Sequence, residues 1–196
     1  VNRVIGETED DTVSDSLSFR NVHYFAAAAT LFGNEAQGVY QYDGKEYVGR
    51  NEHVGSYDSC IECHSTHQLE VEFEACAECH EVVETAEDLQ AIRVSEVDYD
   101  GDGDVAEGIV GEVETLKETL YAALQAYATD TEGVESIIYF PGSYPYFFID
   151  SNGDGLVDAD EANFGNRYNT WTPRLLRAAY DYQYATKDPG GFAHNA

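Results

Sequence analysis

The sequence contains no methionine, and it begins at Val1 with a polar segment rather than with the apolar core of a signal peptide. We therefore expect a processed, secreted chain whose signal peptide has been removed. Long apolar runs are also missing, because the stretch from Phe25 to Phe32 has only eight residues. A membrane-spanning helix needs about 20 apolar residues, so we expect no membrane span.

Basic residues are scarce: 10 Lys and Arg stand against 38 Asp and Glu, which gives a net charge of −28. This balance argues against nucleic acids and anionic membrane surfaces as partners, because both attract basic proteins. It favours the binding of cations and of basic partners. Hydrophobic residues make up 43% of the 196 positions, so we expect one folded domain or two small ones with a real core.

Cysteine is rare as well, and all four cysteines belong to two Cys-x-x-Cys-His motifs that begin sixteen residues apart. In this motif each thiol forms a thioether to a haem vinyl group, and the adjacent histidine becomes an axial iron ligand. The motifs predict two haems c, and covalent haem indicates an extracellular or periplasmic protein. The predicted haem-binding residues are Cys60, Cys63 and His64 in the first motif, and Cys76, Cys79 and His80 in the second.

Two other uses of these cysteines are less consistent with the motifs. A four-cysteine zinc site would explain the paired spacing, but it would not explain why a histidine follows each pair. A thioredoxin-like dithiol needs one motif beside a βαβ pattern, and the sequence shows no such pattern.

The absence of methionine excludes the His/Met ligation of small cytochromes c, so the distal ligands are expected to be histidines. His64 and His80 are the proximal ligands, and two vacancies remain for four candidates. His67 follows His64 by three residues, so it is better placed for the second haem or for a haem in another chain. The distal candidates, which the sequence does not reduce to two, are His23, His53, His67 and His194.

Two acidic, glycine-containing segments match the spacing of calcium-binding loops. Residues 150–161 fit throughout, with Glu161 at the closing position and Asp158 able to act through water. Residues 98–109 have Ile109 at that position, which leaves Glu107 or Glu112 as the replacement. The expected ligands are Asp98, Asp100, Asp102, Asp104 and Glu107 in the first loop, and Asp150, Asn152, Asp154, the Leu156 carbonyl and Glu161 in the second.

The patterning predicts a mainly α protein with much irregular structure, organised by haem and carrying two EF-hand-like loops in a C-terminal helical region. Helices are expected at 17–32, 81–92, 109–128 and from Thr172 onward, with Pro173 in the first turn. Asp43-Gly44 predicts a hairpin turn, and prolines exclude a long helix at 137–149. The expected divisions are an acidic arm at 1–16, a dihaem region at 17–95 and a calcium-loop region at 96–196, the last two packed as one unit.

Together with the paired motifs, the segments FRNVHYFAAAATLFG, EHVGSYDSCIECHSTH and NRYNTWTPRLLRAAYDYQYATKDPGGFAHN resemble the large multihaem c-type cytochromes found outside cells or on outer membranes. The resemblance covers most of residues 17–196. It implies closely spaced, low-spin, bis-histidine haems that serve as an electron wire, and the family includes cytochromes that polymerise into extracellular filaments. This chain departs from the family in having only two motifs.

We therefore expect electron transfer through two bis-histidine haems c, in an extracellular cytochrome that assembles into a homopolymeric conductive filament. A soluble periplasmic dihaem shuttle is one alternative, and a dihaem peroxidase or oxyanion reductase with one open iron is another. A third is a calcium-dependent structural filament protein in which the haems are secondary. The expected partners are other redox proteins or identical subunits.

Overall fold

The computed structural model describes residues 1–23, 26–51 and 53–195. Short helical segments and two short strands are joined by long irregular stretches. In chain order the elements are α1 (Asn2–Ile5), α2 (Ala27–Phe32), a 3₁₀ turn (Gly33–Glu35), α3 (Cys60–Cys63), α4 (Phe73–Cys76), α5 (Ala86–Gln90), α6 (Ile109–Asp130), β1 (Ile137–Tyr139), β2 (Phe147–Ile149), a 3₁₀ turn (Phe164–Asn166), α7 (Pro173–Thr186) and α8 (Gly191–His194).

The chain forms two compact units whose boundaries differ from the expected divisions at 16/17 and 95/96. Unit 1 comprises Val1–Ala26, Gln37–Lys45 and Lys117–Asp188, and unit 2 comprises Ala27–Ala36, Glu46–Leu116 and Pro189–Ala196. Among the described residues, no helix is both long and apolar enough to cross a membrane.

Aromatic residues dominate the core of unit 1. Strands β1 and β2 pair antiparallel with Ile138 opposite Phe148, and Trp171 stands edge-on to Phe147 with ring centroids 5.7 Å apart. Helix α7 begins where the Thr172 hydroxyl accepts a hydrogen bond from the Leu175 amide. The fully buried residues spaced along one face of α7 are Leu175, Leu176, Ala179 and Gln183.

The acidic segment 1–16, expected as an arm, is part of unit 1 and packs against its core. Ile5 is buried in the aromatic core, and the Ser14 amide donates to the Trp171 carbonyl at 3.1 Å. Arg174 donates two hydrogen bonds to the Asp11 carboxylate, at 2.6 and 3.0 Å. These bonds, together with one from Tyr127, hold the pKa of Asp11 at about 2. Because acidic residues of this segment have basic partners, the segment packs against the core and is not an extended arm.

Unit 2 has short helices and little regular backbone. The helix expected at 17–32 is present only as Ala27–Phe32, with positions 24 and 25 outside the described residues. Phe19, upstream, stacks instead on Trp171 in unit 1 at 5.6 Å, so tertiary packing outweighs helix propensity there. The helix expected at 81–92 begins only at Ala86, because Thr85 and Asp88 form a capping box.

Two long helices agree with the patterning, since α6 covers Ile109–Asp130 and α7 starts at Pro173. The turn at Asp43-Gly44 forms, with the Lys45 amide donating to the Tyr42 carbonyl at 3.2 Å. No strand flanks that turn in the part of the chain that the structure describes. The coarse expectation of helices with much irregular structure is confirmed, and the β1–β2 hairpin is an addition that the patterning did not predict.

Replacing Phe147 by alanine should lower the free energy of unfolding by about 3–5 kcal/mol, because the ring is 1% exposed and its removal leaves a cavity. Phe164→Ala is the matched control, since that ring is 59% exposed and its loss should cost about 1 kcal/mol or less. Denaturant unfolding of both variants checks this, and equal losses would contradict the described core.

Candidate haem and calcium sites

The first motif lies on a single helical turn. Helix α3 carries Cys60 and Cys63, and the His64 amide closes the turn by donating to the Cys60 carbonyl at 2.9 Å. The His64 Nδ1 atom lies 2.9 Å from the Leu69 carbonyl. A ring nitrogen that donates to a backbone carbonyl leaves the other nitrogen free as a metal ligand, and the same arrangement recurs in metal-binding histidines.

The loop after His64 brings that carbonyl into place. The Ser65 amide donates to the Glu70 carbonyl, and the Leu69 amide donates back to Ser65, both at 2.9 Å. An antiparallel bridge joins His64 to Val71. His67 lies exposed at the tip of this loop.

The second motif repeats the backbone pattern of the first. Helix α4 ends at Cys76, and the His80 amide donates to the Cys76 carbonyl at 2.9 Å, the same distance as in the first motif. All four cysteines are free thiols, with Cys60 and Cys79 exposed. Each motif therefore presents two reduced sulfur atoms and a histidine in the order that covalent haem attachment needs.

Each motif histidine faces one distal candidate. The rings of His64 and His194 have centroids 6.3 Å apart, and those of His80 and His53 have centroids 6.1 Å apart. A metal–imidazole bond of about 2 Å on each side, with the ring radius added twice, puts two axial imidazoles of one metal roughly 6 Å apart between centroids. The centroid separations of both pairs match this value.

Among the described residues, no group of three or more close potential ligand atoms includes a cysteine sulfur. The described residues form two groups of three or more potential ligand atoms within 4.8 Å of one another, and both consist of carboxylates. Burial raises the pKa of the Cys63 and Cys76 thiols. Reactive redox dithiols have a lowered pKa, so the geometry and the acidity of the thiols both disfavour these two alternatives.

The loop at 150–161, in unit 1, is folded around its own carboxylates. Asp150 accepts hydrogen bonds from the Gly153 and Gly155 amides at 2.7 and 2.8 Å. Asn152 accepts from the Asp154 amide. Glu161, which is 4% exposed, accepts from the Ser151 amide at 2.7 Å, so its carboxylate lies over the start of the loop.

The loop at 98–109, in unit 2, has the same hydrogen-bond pattern at equivalent positions. Asp98 accepts from the Gly101 and Gly103 amides at 2.6 and 3.0 Å. The carboxylate over the start of this loop belongs to Glu112, which accepts from the Tyr99 and Asp100 amides, both at 2.8 Å.

The structure therefore places Glu112, in the first turn of α6, where Glu161 lies in the other loop. Glu112 forms a ligand group with Asp98 and Asp100, while Glu107 forms a separate group with Asp100 and Asp102. Burial and the neighbouring carboxylates raise the pKa of Glu107. The repulsion that raises it would be relieved by a bound cation.

Arg93, which the sequence did not single out, holds Glu112 in place. Its guanidinium lies 2.6 Å from the Glu112 carboxylate, and the two side chains are 7% and 1% exposed. The same guanidinium donates to the Ser95 carbonyl at 2.8 Å and to the Glu107 carbonyl at 3.1 Å. Burial alone would raise the pKa of Glu112, but Arg93 and two backbone amides outweigh it and hold the pKa below its usual range.

Comparison with known proteins identifies distant relatives in Geobacter sulfurreducens. The chain is 26% identical to the C-type polyheme cytochrome OmcB over 200 residues, which cover 91% of this chain and 25% of OmcB. It is 26% identical to the C-type polyheme cytochrome OmcC over 202 residues, which cover 91% of this chain and 24% of OmcC. The chain thus spans about a quarter of the length of these relatives.

No protein-family profile matches the chain, and no solved structure gives a significant match. The distant similarity nevertheless extends over nine tenths of the chain. It supports a c-type polyhaem cytochrome, the class that the two motifs and the resemblance predicted.

Glu112→Ala should lower the melting temperature even without added calcium, because it leaves the Arg93 guanidinium buried and unpaired. Glu107→Ala is the matched control and should have a smaller effect, since Arg93 contacts only the backbone carbonyl of Glu107. Thermal unfolding followed by circular dichroism in chelator measures both. A larger loss for the Glu107 variant would contradict the assignment of Glu112 as the closing carboxylate.

Proposed function

We propose that this chain carries electrons through two haem c groups. Cys60 and Cys63 would hold one haem, with His64 and His194 as its axial ligands. Cys76 and Cys79 would hold the other, with His80 and His53 as its axial ligands. The observation that carries the proposal is the pair of facing imidazoles, 6.3 and 6.1 Å apart between centroids. The distant similarity to polyheme cytochromes supports it independently.

A haem bound in this way supplies one-electron exchange at its iron. The residues around each haem would determine which ligands its iron has and whether a substrate could reach it. With His194 and His53 as distal ligands, neither iron would keep an open position for a substrate, which favours a carrier over a peroxidase or an oxyanion reductase. The contact between His64 Nδ1 and the Leu69 carbonyl, at 2.9 Å, would hold the ring orientation while the other ring nitrogen binds iron.

His194→Ala and His53→Ala should each convert one haem of the two from low-spin to high-spin and open it to carbon monoxide. His67→Ala is the matched control and should leave both haems low-spin, because His67 lies exposed on the loop after the first motif. Absorption and paramagnetic resonance spectra, with and without carbon monoxide, measure the result. Conversion by His67→Ala, with none by His194→Ala, would overturn the ligand assignment.

We also propose that both acidic loops bind calcium. Asp150, Asn152, Asp154, the Leu156 carbonyl and Glu161 would be ligands in unit 1, and Asp98, Asp100, Asp102, the Asp104 backbone carbonyl and Glu112 would be ligands in unit 2. Oxygen-only ligand sets of this kind suit a hard divalent cation. The matching hydrogen-bond patterns of the two loops support the proposal. Burial, and after it the neighbouring carboxylates, raise the pKa of Asp158 and Glu107, and a cation would offset the carboxylate repulsion.

Asp150→Ala combined with Glu161→Ala should abolish much of the rise in melting temperature that calcium gives, while the haem content stays unchanged. Calcium that binds the folded state and not the unfolded state stabilises the folded protein by mass action. The rise in melting temperature therefore depends on the calcium concentration. Melting curves at several calcium concentrations and in chelator measure it. Identical melting of the wild-type chain in calcium and in chelator would remove the calcium proposal.

We further propose that the chain acts outside the cytoplasm and that copies of it assemble into a filament along which electrons pass. Two haems alone span a short distance, so conduction over longer ranges needs haems of neighbouring subunits. Exposure of the attachment residues Cys60 and Cys79 suits electron exchange with a neighbour. A soluble dihaem shuttle remains the alternative, and the strong negative charge then favours a basic redox partner.

Electron microscopy of the purified protein, in calcium and in chelator, distinguishes the two. Filaments with a regular repeat are the expected result, since calcium reduces the repulsion between copies of so acidic a chain. Discrete particles in both conditions would contradict assembly and leave the shuttle.

A further inference from the structure

Asn195, the residue after the distal candidate His194, is hydrogen-bonded to the C-terminal end of α2 in unit 2. Its side-chain amide nitrogen lies 2.9 Å from the Thr30 carbonyl, 3.3 Å from the Leu31 carbonyl and 3.1 Å from the Gly49 carbonyl. Thr30 and Leu31 belong to the last turn of α2. These contacts hold the backbone next to His194 close to that helix end.

Two glycines make this close approach possible. A Cβ added at Gly33 would lie 2.5 Å from the Val48 carbonyl and 3.1 Å from the Asn195 amide nitrogen. A Cβ added at Gly190 would lie 2.8 Å from Cε1 of His194. The His194 ring thus packs directly against the Gly190 backbone, and any side chain at position 190 would displace it.

Tyr57 performs the equivalent role for the other distal candidate. Its ring stands nearly perpendicular to that of His53, with centroids 6.2 Å apart. Its hydroxyl donates to the Glu78 carboxylate at 2.8 Å. Glu78 lies between the two cysteines of the second motif, so Tyr57 connects the segment carrying His53 to the motif that His53 faces.

We propose that Asn195 and Tyr57 are positioning residues, each of which holds one distal histidine opposite its motif histidine. The proposal rests on the proposed ligation of the two haems. His194 sits on α8, a helix of only four residues, and His53 lies in irregular backbone. Neither histidine lies on a long element, and a nearby side chain links each of the two segments to other parts of unit 2.

The test measures the spin state and carbon monoxide binding of the purified dihaem protein. Asn195→Ala should turn the haem attached at Cys60 and Cys63 partly high-spin and reactive to carbon monoxide. Gly190→Ala should do the same by displacing the ring. Tyr57→Phe, which removes only the hydroxyl, should affect the haem attached at Cys76 and Cys79. Added imidazole should restore the low-spin spectrum in each variant, because only the ligand position is lost.

Double variants distinguish a loss of histidine positioning from a general loss of protein structure. Asn195→Ala should add nothing to His194→Ala, whereas combining Asn195→Ala with His53→Ala should convert both haems, because interacting residues are non-additive and independent ones add. Asn51→Ala, an exposed asparagine in the same unit, is one matched control. Tyr180→Phe, which removes a hydroxyl that donates to the Gly38 carbonyl at 3.0 Å, is the other. Neither control should change the spectrum.

The variants distinguish a failure of the positioning role from a failure of the ligand assignment. If His194→Ala converts one haem while Asn195→Ala and Gly190→Ala leave both haems low-spin, the positioning role is overturned and the ligation stands. If His194→Ala converts neither haem, the ligation itself fails, and the positioning role fails with it. Should Asn195→Ala prove unstable, Asn195→Asp keeps the side-chain size but replaces the donor by an acceptor, and it should give the same high-spin signal.

Discussion

Unit 2 contains two pairs of imidazole rings at the separation that a metal held between two histidines requires. Such a metal fixes the ring centroids roughly 6 Å apart, and the pairs His64–His194 and His53–His80 lie at 6.3 and 6.1 Å. Much of unit 2 is irregular backbone, so few regular hydrogen bonds hold the rings there. The Leu69 carbonyl, the Asn195 amide and the Tyr57 hydroxyl are local contacts that supply part of this order. Covalent haem would supply a larger part through four thioether bonds.

The large excess of negative charge is a second constraint on the fold, and basic residues offset it differently in the two units. In unit 1, Arg174 and Arg177 bind Asp10 and Asp11, so the acidic segment 1–16 packs on the surface. In unit 2, Arg93 is buried with Glu112 beside a cluster of carboxylates. A buried pair of this kind is costly when one partner is missing. Ten basic residues cannot neutralise 38 acidic ones, and this deficit makes divalent cations suitable partners.

The sequence was sufficient for features that depend on local spacing. The two motifs, α6, the start of α7 at Pro173 and the full calcium-loop pattern at 150–161 could all be read from neighbouring residues. The proximity of His194 to His64 could not, because His194 lies 130 positions later and only tertiary structure brings the two rings near each other. Glu112 was left as one of two choices, since it lies beyond the regular loop spacing and its carboxylate reaches the Tyr99 and Asp100 amides only through the fold. The helix at 17–32 was overestimated because Phe19 packs in an aromatic core that no local pattern reveals.

The central claim is that both motifs carry covalent haem, and intact mass spectrometry of the denatured protein tests it most directly. The protein should be purified from a host that matures c-type cytochromes, so that haem attachment is possible. The account predicts the mass of the polypeptide plus two haem groups, which persists after acid and organic solvent because thioether bonds survive both. The mass of the polypeptide alone, with zinc retained by the native protein, would contradict it.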